Sequence, residues 1–157
     1  MPVPHIAEPN ESNAISFHRT NTPLVLLVLL SVLLAVVGCA RRAALYQPPP
    51  VSFVRLPVED VEAGIYAGAR RRGWVPTKLH DGLIQATLHL RSHVAVVDIA
   101  YEADSFRLRY VRSENLNYEQ DADGTQRIHQ HFNIWQQNLI QDISEELSGQ
   151  RKKREMQ

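Results

Sequence analysis

The only thiol in the 157-residue chain is Cys39, and it stands at the exit of the only long apolar run, Leu24–Val37. A thiolate is the reactive form through which a cysteine takes up an acyl or alkyl group. Gly38 precedes it, and a residue without a side chain lets the backbone enter a narrow peptidase cleft. The other candidates for chemistry beyond residue 38 are His80, His89, His93, His129 and His131, the carboxylate of Asp98 and the run Arg70-Arg71-Arg72. His129 and His131 are two apart on a predicted helix and point to different faces, so they cannot chelate as a pair. His89 and His93 flank a tight turn and can meet, but histidines on surface hairpins are common. No metal site is expected. Asp98 sits in the apolar stretch Val94–Ala100, where a catalytic carboxylate would want a second acid or a histidine. A cross-strand Arg109 offers the simpler role of a surface ion pair. Arg70–Arg72 reads as a solvated helix end. No Gly-x-Ser-x-Gly elbow, phosphate loop or dinucleotide fingerprint occurs. No catalytic residue and no cofactor is therefore expected, and the chain reads as a non-enzyme.

The elements around Cys39 give its position meaning. Leu24–Val37 is apolar apart from Ser31. As a helix it spans roughly 21 Å at about 1.5 Å per residue, short of a hydrocarbon core of about 30 Å. That length suits the central region of a signal peptide better than a transmembrane span. Residues 1–38 are accordingly read as a signal peptide, although only Arg19 supplies firm positive charge ahead of the apolar run.

The sequence Val36-Val37-Gly38-Cys39 resembles the bacterial lipobox, in which an aliphatic residue, a tolerant position and a small residue precede an obligatory cysteine. The resemblance implies diacylglycerol on the Cys39 thiol, cleavage between Gly38 and Cys39, and a further acyl chain such as palmitate on the new amino terminus. Two or three acyl chains, at about 0.8 kcal/mol per buried methylene, anchor firmly. In Gram-negative lipoproteins an aspartate after the cysteine favours retention in the inner membrane. Ala40 stands there instead, which implies the periplasmic face of the outer membrane.

Removing residues 1–38 leaves 119 residues with 16 basic and 15 acidic side chains, so net charge points to no nucleic-acid partner. With one cysteine no internal disulfide can form. Residues 39–57 are read as a lipidated start and a tether, because Pro48-Pro49-Pro50 favours an extended polyproline conformation. A strand within Val51–Leu56 is the alternative.

Residues 58–148 carry the pattern of an α+β domain, a two-layer arrangement with an N-terminal helix, a four-stranded antiparallel meander and a C-terminal helix on one face. Pro57 opens the first helix, Val61, Ile65 and Ala69 share its apolar face, and Gly73 ends it beside Trp74. Asp81-Gly82 signals a hairpin. Further two-residue loops at Ser92-His93 and Ala103-Asp104 set Ile84, Ala86, Leu88 and Leu90 beside Tyr101, Ile99, Val97 and Ala95. Phe106, Leu108 and Tyr110 extend that face, and Asp98 falls opposite Arg109. Val94 and Val96 leave an apolar spot on the other face. A polar loop over 112–124 precedes a last helix from near Thr125, with Ile128, Phe132, Trp135, Leu139, Ile143 and Leu147 in one stripe. Residues 149–157 read as a basic, disordered tail.

Arg72-Gly73-Trp74, Ser113–Tyr118 and Ile128-His129 with Asn133 and Trp135 look like short motifs of small uncharacterised lipoproteins from Gram-negative bacteria. That resemblance covers about residues 59–147 and implies the same fold and location, without an activity. The expected function is an envelope lipoprotein whose periplasmic domain binds or helps assemble another envelope protein. The alternative is an envelope hydrolase, with His129 and Glu114 or Asp98, or a binder of small ligands or glycans around Trp74, Tyr118 and His129.

Overall fold

The computed structural model describes residues 42–156. The signal peptide, its apolar run, Gly38 and Cys39 lie outside the described residues. In order, the elements are β1 Arg42–Ala44, β2 Val51–Ser52, α1 Val58–Arg71, β3 Trp74–His80, β4 Leu83–Leu90, β5 His93–Tyr101, β6 Ser105–Glu114, β7 Glu119–Gln120, β8 Gln126–His129 and α2 Gln130–Glu155. A five-stranded antiparallel sheet runs β2-β6-β5-β4-β3, and a three-stranded one runs β1-β8-β7. The two helices pack on each other and on the inner face of the larger sheet, giving a two-layer α+β domain around Ile65, Ile84, Ile99, Phe106, Phe132 and Ile143.

The first helix forms where expected. The Pro57 carbonyl accepts from Asp60 and Val61 N–H, Glu59 and Asp60 occupy the first turn, and Arg70 and Arg71 the last. Gly73 then takes φ +80°, a left-handed conformation that suits glycine at a helix end. Beyond the aliphatic stripe, α1 also buries Gly64 and Gly68. A Cβ on Gly68 would stand 2.7 Å from Ile143 Cα, and one on Gly64 2.7 Å from Leu147 Cδ2. The helices thus approach through two glycines.

The Asp81-Gly82 hairpin and the Ala103-Asp104 turn occur as expected, the latter closed by Glu102 N–H on Ser105 O at 2.8 Å. The middle hairpin turns one residue earlier than expected, at Arg91-Ser92, with Arg91 at φ +55°. Ile84 therefore pairs with Ile99, Ala86 with Val97 and Leu88 with Ala95. This two-residue slip keeps every side chain on its expected face, because strand side chains alternate with period two. Asp98 does sit opposite Arg109, but its carboxylate accepts from Gln85 Nε2 at 3.0 Å rather than pairing with the guanidinium. The expected apolar spot is also smaller, since Val96 is 1 % exposed.

Three expectations at the ends of the domain are corrected. Residues 42–57 are no free tether: Arg42–Ala44 pairs with β8, and Val51–Ser52 with β6. Residues 126–129 form a strand rather than helix, because Asp123-Gly124 turns the chain. Gly124 has φ +86°, and Asp123 Oδ1 accepts from Thr125 N–H at 2.8 Å. The basic tail continues α2 to Glu155, where Arg154 pairs with Asp60 of α1 and Arg151 with Glu155.

Candidate functional site

Two polar side chains interrupt the apolar stripe of α2, Gln136 and Asp142, and both are buried. Asp142 is accounted for by α1, since Arg72 Nε donates to Oδ2 at 2.5 Å and Arg71 lies 3.9 Å from Oδ1. Gln136 is not. It is fully buried, and among the described residues neither its Nε2 nor its Oε1 has a hydrogen-bond partner. A buried polar group left unpaired costs about 1–3 kcal/mol.

Gln136 lines a cavity of about 430 Å³ between the two sheets. Its roof is Leu45–Pro50, its wall is Arg107–Tyr110 of β6, and Gln126 of β8 completes the side. That volume falls in the usual range for small-ligand sites, about 300–1,000 Å³. The proline segment is pinned at both ends. Leu45 N–H donates to Gln126 O at 2.8 Å, and Tyr46 N–H to Asn133 Oδ1 at 3.0 Å. Asn133 Nδ2 donates in turn to Ala44 O, and Gln47 Nε2 to Gln126 Oε1. At the far end Val51 pairs with Phe106, and Phe53 N–H donates to Asp104 O. Prolines 48–50 have no N–H and fixed φ angles, so the strap between these pins is stiff and donates nothing to the sheet.

The wall is a sheet edge. Strand β2 pairs only with Ser105 and Phe106, so among the described residues β6 has no strand partner on that side from Arg107 onward. The alternation of an antiparallel ladder, counted from the bonded Glu102–Ser105 pair, turns the N–H and C=O of Leu108 and Tyr110 away from β5 and toward the strap. Arg107 and Arg109 are exposed beside this edge, and neither guanidinium has an ion pair among the described residues. Both also line a broader depression of about 600 Å³ on the outer sheet face, with Pro50 shared between the two. Burial pushes the Tyr110 hydroxyl above its ordinary value of 10.0, against a smaller opposing effect of its hydrogen bond with Ser113. Tyr110 is thus a neutral donor or acceptor at the inner end of the wall.

The residues expected to bind have different surroundings. Trp74 is 2 % exposed in the core at the start of β3. Tyr118 is stacked on Tyr110, ring centroids 4.7 Å apart, on the loop before β7. His129 is at the N-terminus of α2, where its Nδ1 accepts from His131 N–H at 3.3 Å. It shares a shallow pocket of about 270 Å³ with His93, His131 and Trp135. The rings of His129 and His131 are 4.9 Å apart, rather than on the different helix faces expected, because His129 ends β8 and only His131 is helical. His93 meets His129 at 6.3 Å between ring centroids, and its ladder partner is Leu90 rather than His89. Among the described residues no three His, Cys, Asp or Glu side chains are placed to hold a metal ion. Glu114 is engaged by Arg112 at 3.0 Å.

Sequence reasoning missed the cavity, though one signal was present. Gln136 lies four residues after Phe132 and three before Leu139, on the buried stripe. No match is found to any protein-family model, any curated protein or any solved structure.

Proposed function

We propose that the chain is a lipid-anchored cell-envelope protein, cut between Gly38 and Cys39 and acylated on Cys39, whose small periplasmic domain binds another envelope protein. The observation that carries this reading is the placement of the single thiol. Cys39 follows a small residue at the end of an apolar run too short to span a bilayer, and the first strand begins at Arg42. Only Ala40 and Arg41 separate the two, a reach of at most about 11 Å at about 3.6 Å per residue. An acylated Cys39 would therefore hold the domain close to the membrane rather than on a long stalk. Ala40 after the cysteine supports the periplasmic face of the outer membrane as the destination. The strap cavity and the open β6 edge support an interaction role, because a recess of this volume with apolar lining and a few placed polar groups suits recognition.

The test is metabolic labelling with an alkyne analogue of palmitate, followed by membrane fractionation. The wild-type chain is expected to take up the label and to sediment with outer membranes, whereas Cys39→Ala is expected to lose both. Label retained by Cys39→Ala would overturn the assignment. A photo-crosslinking residue in place of Pro49, exposed on the strap, is expected to capture one discrete envelope protein in labelled cells, and capture no better than from an exposed control such as Lys152 would remove the interaction role.

A further inference from the structure

We infer that the cavity beneath the proline strap is a binding site for an extended peptide segment carrying a carboxylate. Each surface of the cavity matches one part of such a ligand. The β6 edge presents the backbone N–H and C=O of Leu108 and Tyr110, which a peptide in extended conformation can pair as an added strand. The buried Gln136 amide has both a donor and an acceptor without partners among the described residues, and a peptide group is a ligand fragment that offers one of each in return. Leu45, Pro48 and Leu108 give the site an apolar lining for a small side chain. Arg107 and Arg109 stand at the mouth without an acidic partner among the described residues, and a guanidinium binds a carboxylate through paired hydrogen bonds. A neutral sugar could meet the amide and single edge groups through its hydroxyls but carries no charge for the arginines, and an unprotonated inorganic anion could use the arginines but offers no donor to Gln136 Oε1 or the edge carbonyls. The peptide is the ligand that uses all three.

The strap sets the size of what enters. The pins at Leu45, Tyr46 and Val51 hold both ends, so the volume of about 430 Å³ corresponds to a few residues rather than a long segment. The carboxylate can come from a chain terminus or from an acidic side chain, and the two sources share the same chemistry at the arginines.

This inference rests on the interaction role proposed above but not on the lipid anchor, and its test reads the cavity alone. The purified full chain in detergent micelles is used to select from random tetrapeptide libraries, one with free and one with amidated carboxyl ends. Enrichment of carboxylate-bearing peptides is expected from wild type. Enrichment only from the free-ended library assigns the terminal carboxylate, and enrichment of Asp or Glu from the amidated library assigns the side chain. Affinity for a selected peptide, measured by calorimetry, is expected to fall about tenfold or more in Gln136→Leu and in the double variant Arg107→Gln, Arg109→Gln, as for loss of hydrogen bonds to charged or buried groups. Only the arginine variant is expected to lose salt dependence. Gln136→Leu removes an unpaired polar group and should remain folded, so loss of binding there cannot be ascribed to unfolding. No enrichment from either library would overturn the inference, as would selected peptides that bind both variants as tightly as wild type.

Discussion

Replacing Gly68 with alanine and replacing Gly149 with alanine put the same methyl group into two helices, and the structure gives them opposite signs. At Gly68 the added Cβ would stand 2.7 Å from both Cα and N of Ile143 and 2.9 Å from the carbonyl carbon of Asp142. Non-bonded carbons prefer about 3.5–4.0 Å, so the helices must separate by about 1 Å. The obstruction is backbone and cannot rotate away, which puts the overpacking cost near the top of the usual range, about 3 kcal/mol. Alanine recovers about 1 kcal/mol of helix propensity over glycine, leaving a net loss of about 2 kcal/mol. At Gly149, in α2, nothing among the described residues lies within 4 Å of the added atom. Only the propensity gain remains there, about 0.5–1 kcal/mol near a helix end. Thermal unfolding of the purified chain by circular dichroism separates these outcomes, since 1 kcal/mol shifts Tm by about 4 °C in a domain of this size. Gly68→Ala is expected to melt about 8 °C lower, and Gly149→Ala a few degrees higher. If Gly68→Ala were as stable as wild type, the helices could not approach as closely as described, and the reasoning from their contact would fail.

Other expectations follow from polar groups at or near the core. Gln136→Leu should raise stability by about 1–2 kcal/mol in denaturant titration, because it removes two unpaired buried atoms at similar volume; a loss of stability would mean that the amide is already satisfied. Arg72→Met should destabilise by about 2 kcal/mol, below the usual cost of breaking a fully buried pair because Arg72 is itself half exposed while Asp142 is buried. Arg72→Met combined with Asp142→Asn should recover part of that loss in a double-mutant cycle. Hydrogen bonds from Lys78 and Tyr101 hold the Glu62 carboxyl below its ordinary 4.5, with the Lys78 bond the larger cause. A lowered folded value means that this stabilisation is complete above 4.5 and is lost as pH falls below it toward the folded value. Glu62→Gln should flatten the acid limb of the stability–pH curve, and an unchanged limb would remove Glu62 from the cause.

The sequence carried the inner architecture well and its margins poorly. Apolar alternation placed Ile84, Ile99 and Leu108 on one face whichever turn closed the middle hairpin, because a two-residue slip preserves the period. The turn itself was illegible, since Arg91 adopts a left-handed conformation that nothing in its residue type announces. The Asp123-Gly124 turn was legible in the same way as Asp81-Gly82, but the helical spacing of Ile128 and Phe132 concealed a strand ending at His129. Prolines 48–50 revealed a stiff extended segment. They could not reveal that its flanks pair with β8 and β6, because those partners lie more than 50 residues away in sequence. For the same reason the cavity depends on residues from the strap, β6, β8 and α2 that no local pattern connects. Trp74, Tyr118 and His129 stand in short local motifs, which do not reveal the core, stacking and helix-end positions that folding gives them.

The most direct measurement is intact-mass analysis of the protein extracted from membranes, wild type beside Cys39→Ala. The wild-type mass is expected to be that of a chain that starts at Cys39 and carries two or three acyl chains, and Cys39→Ala is expected to be neither cut at that bond nor acylated. A full-length, unmodified wild-type mass would contradict it.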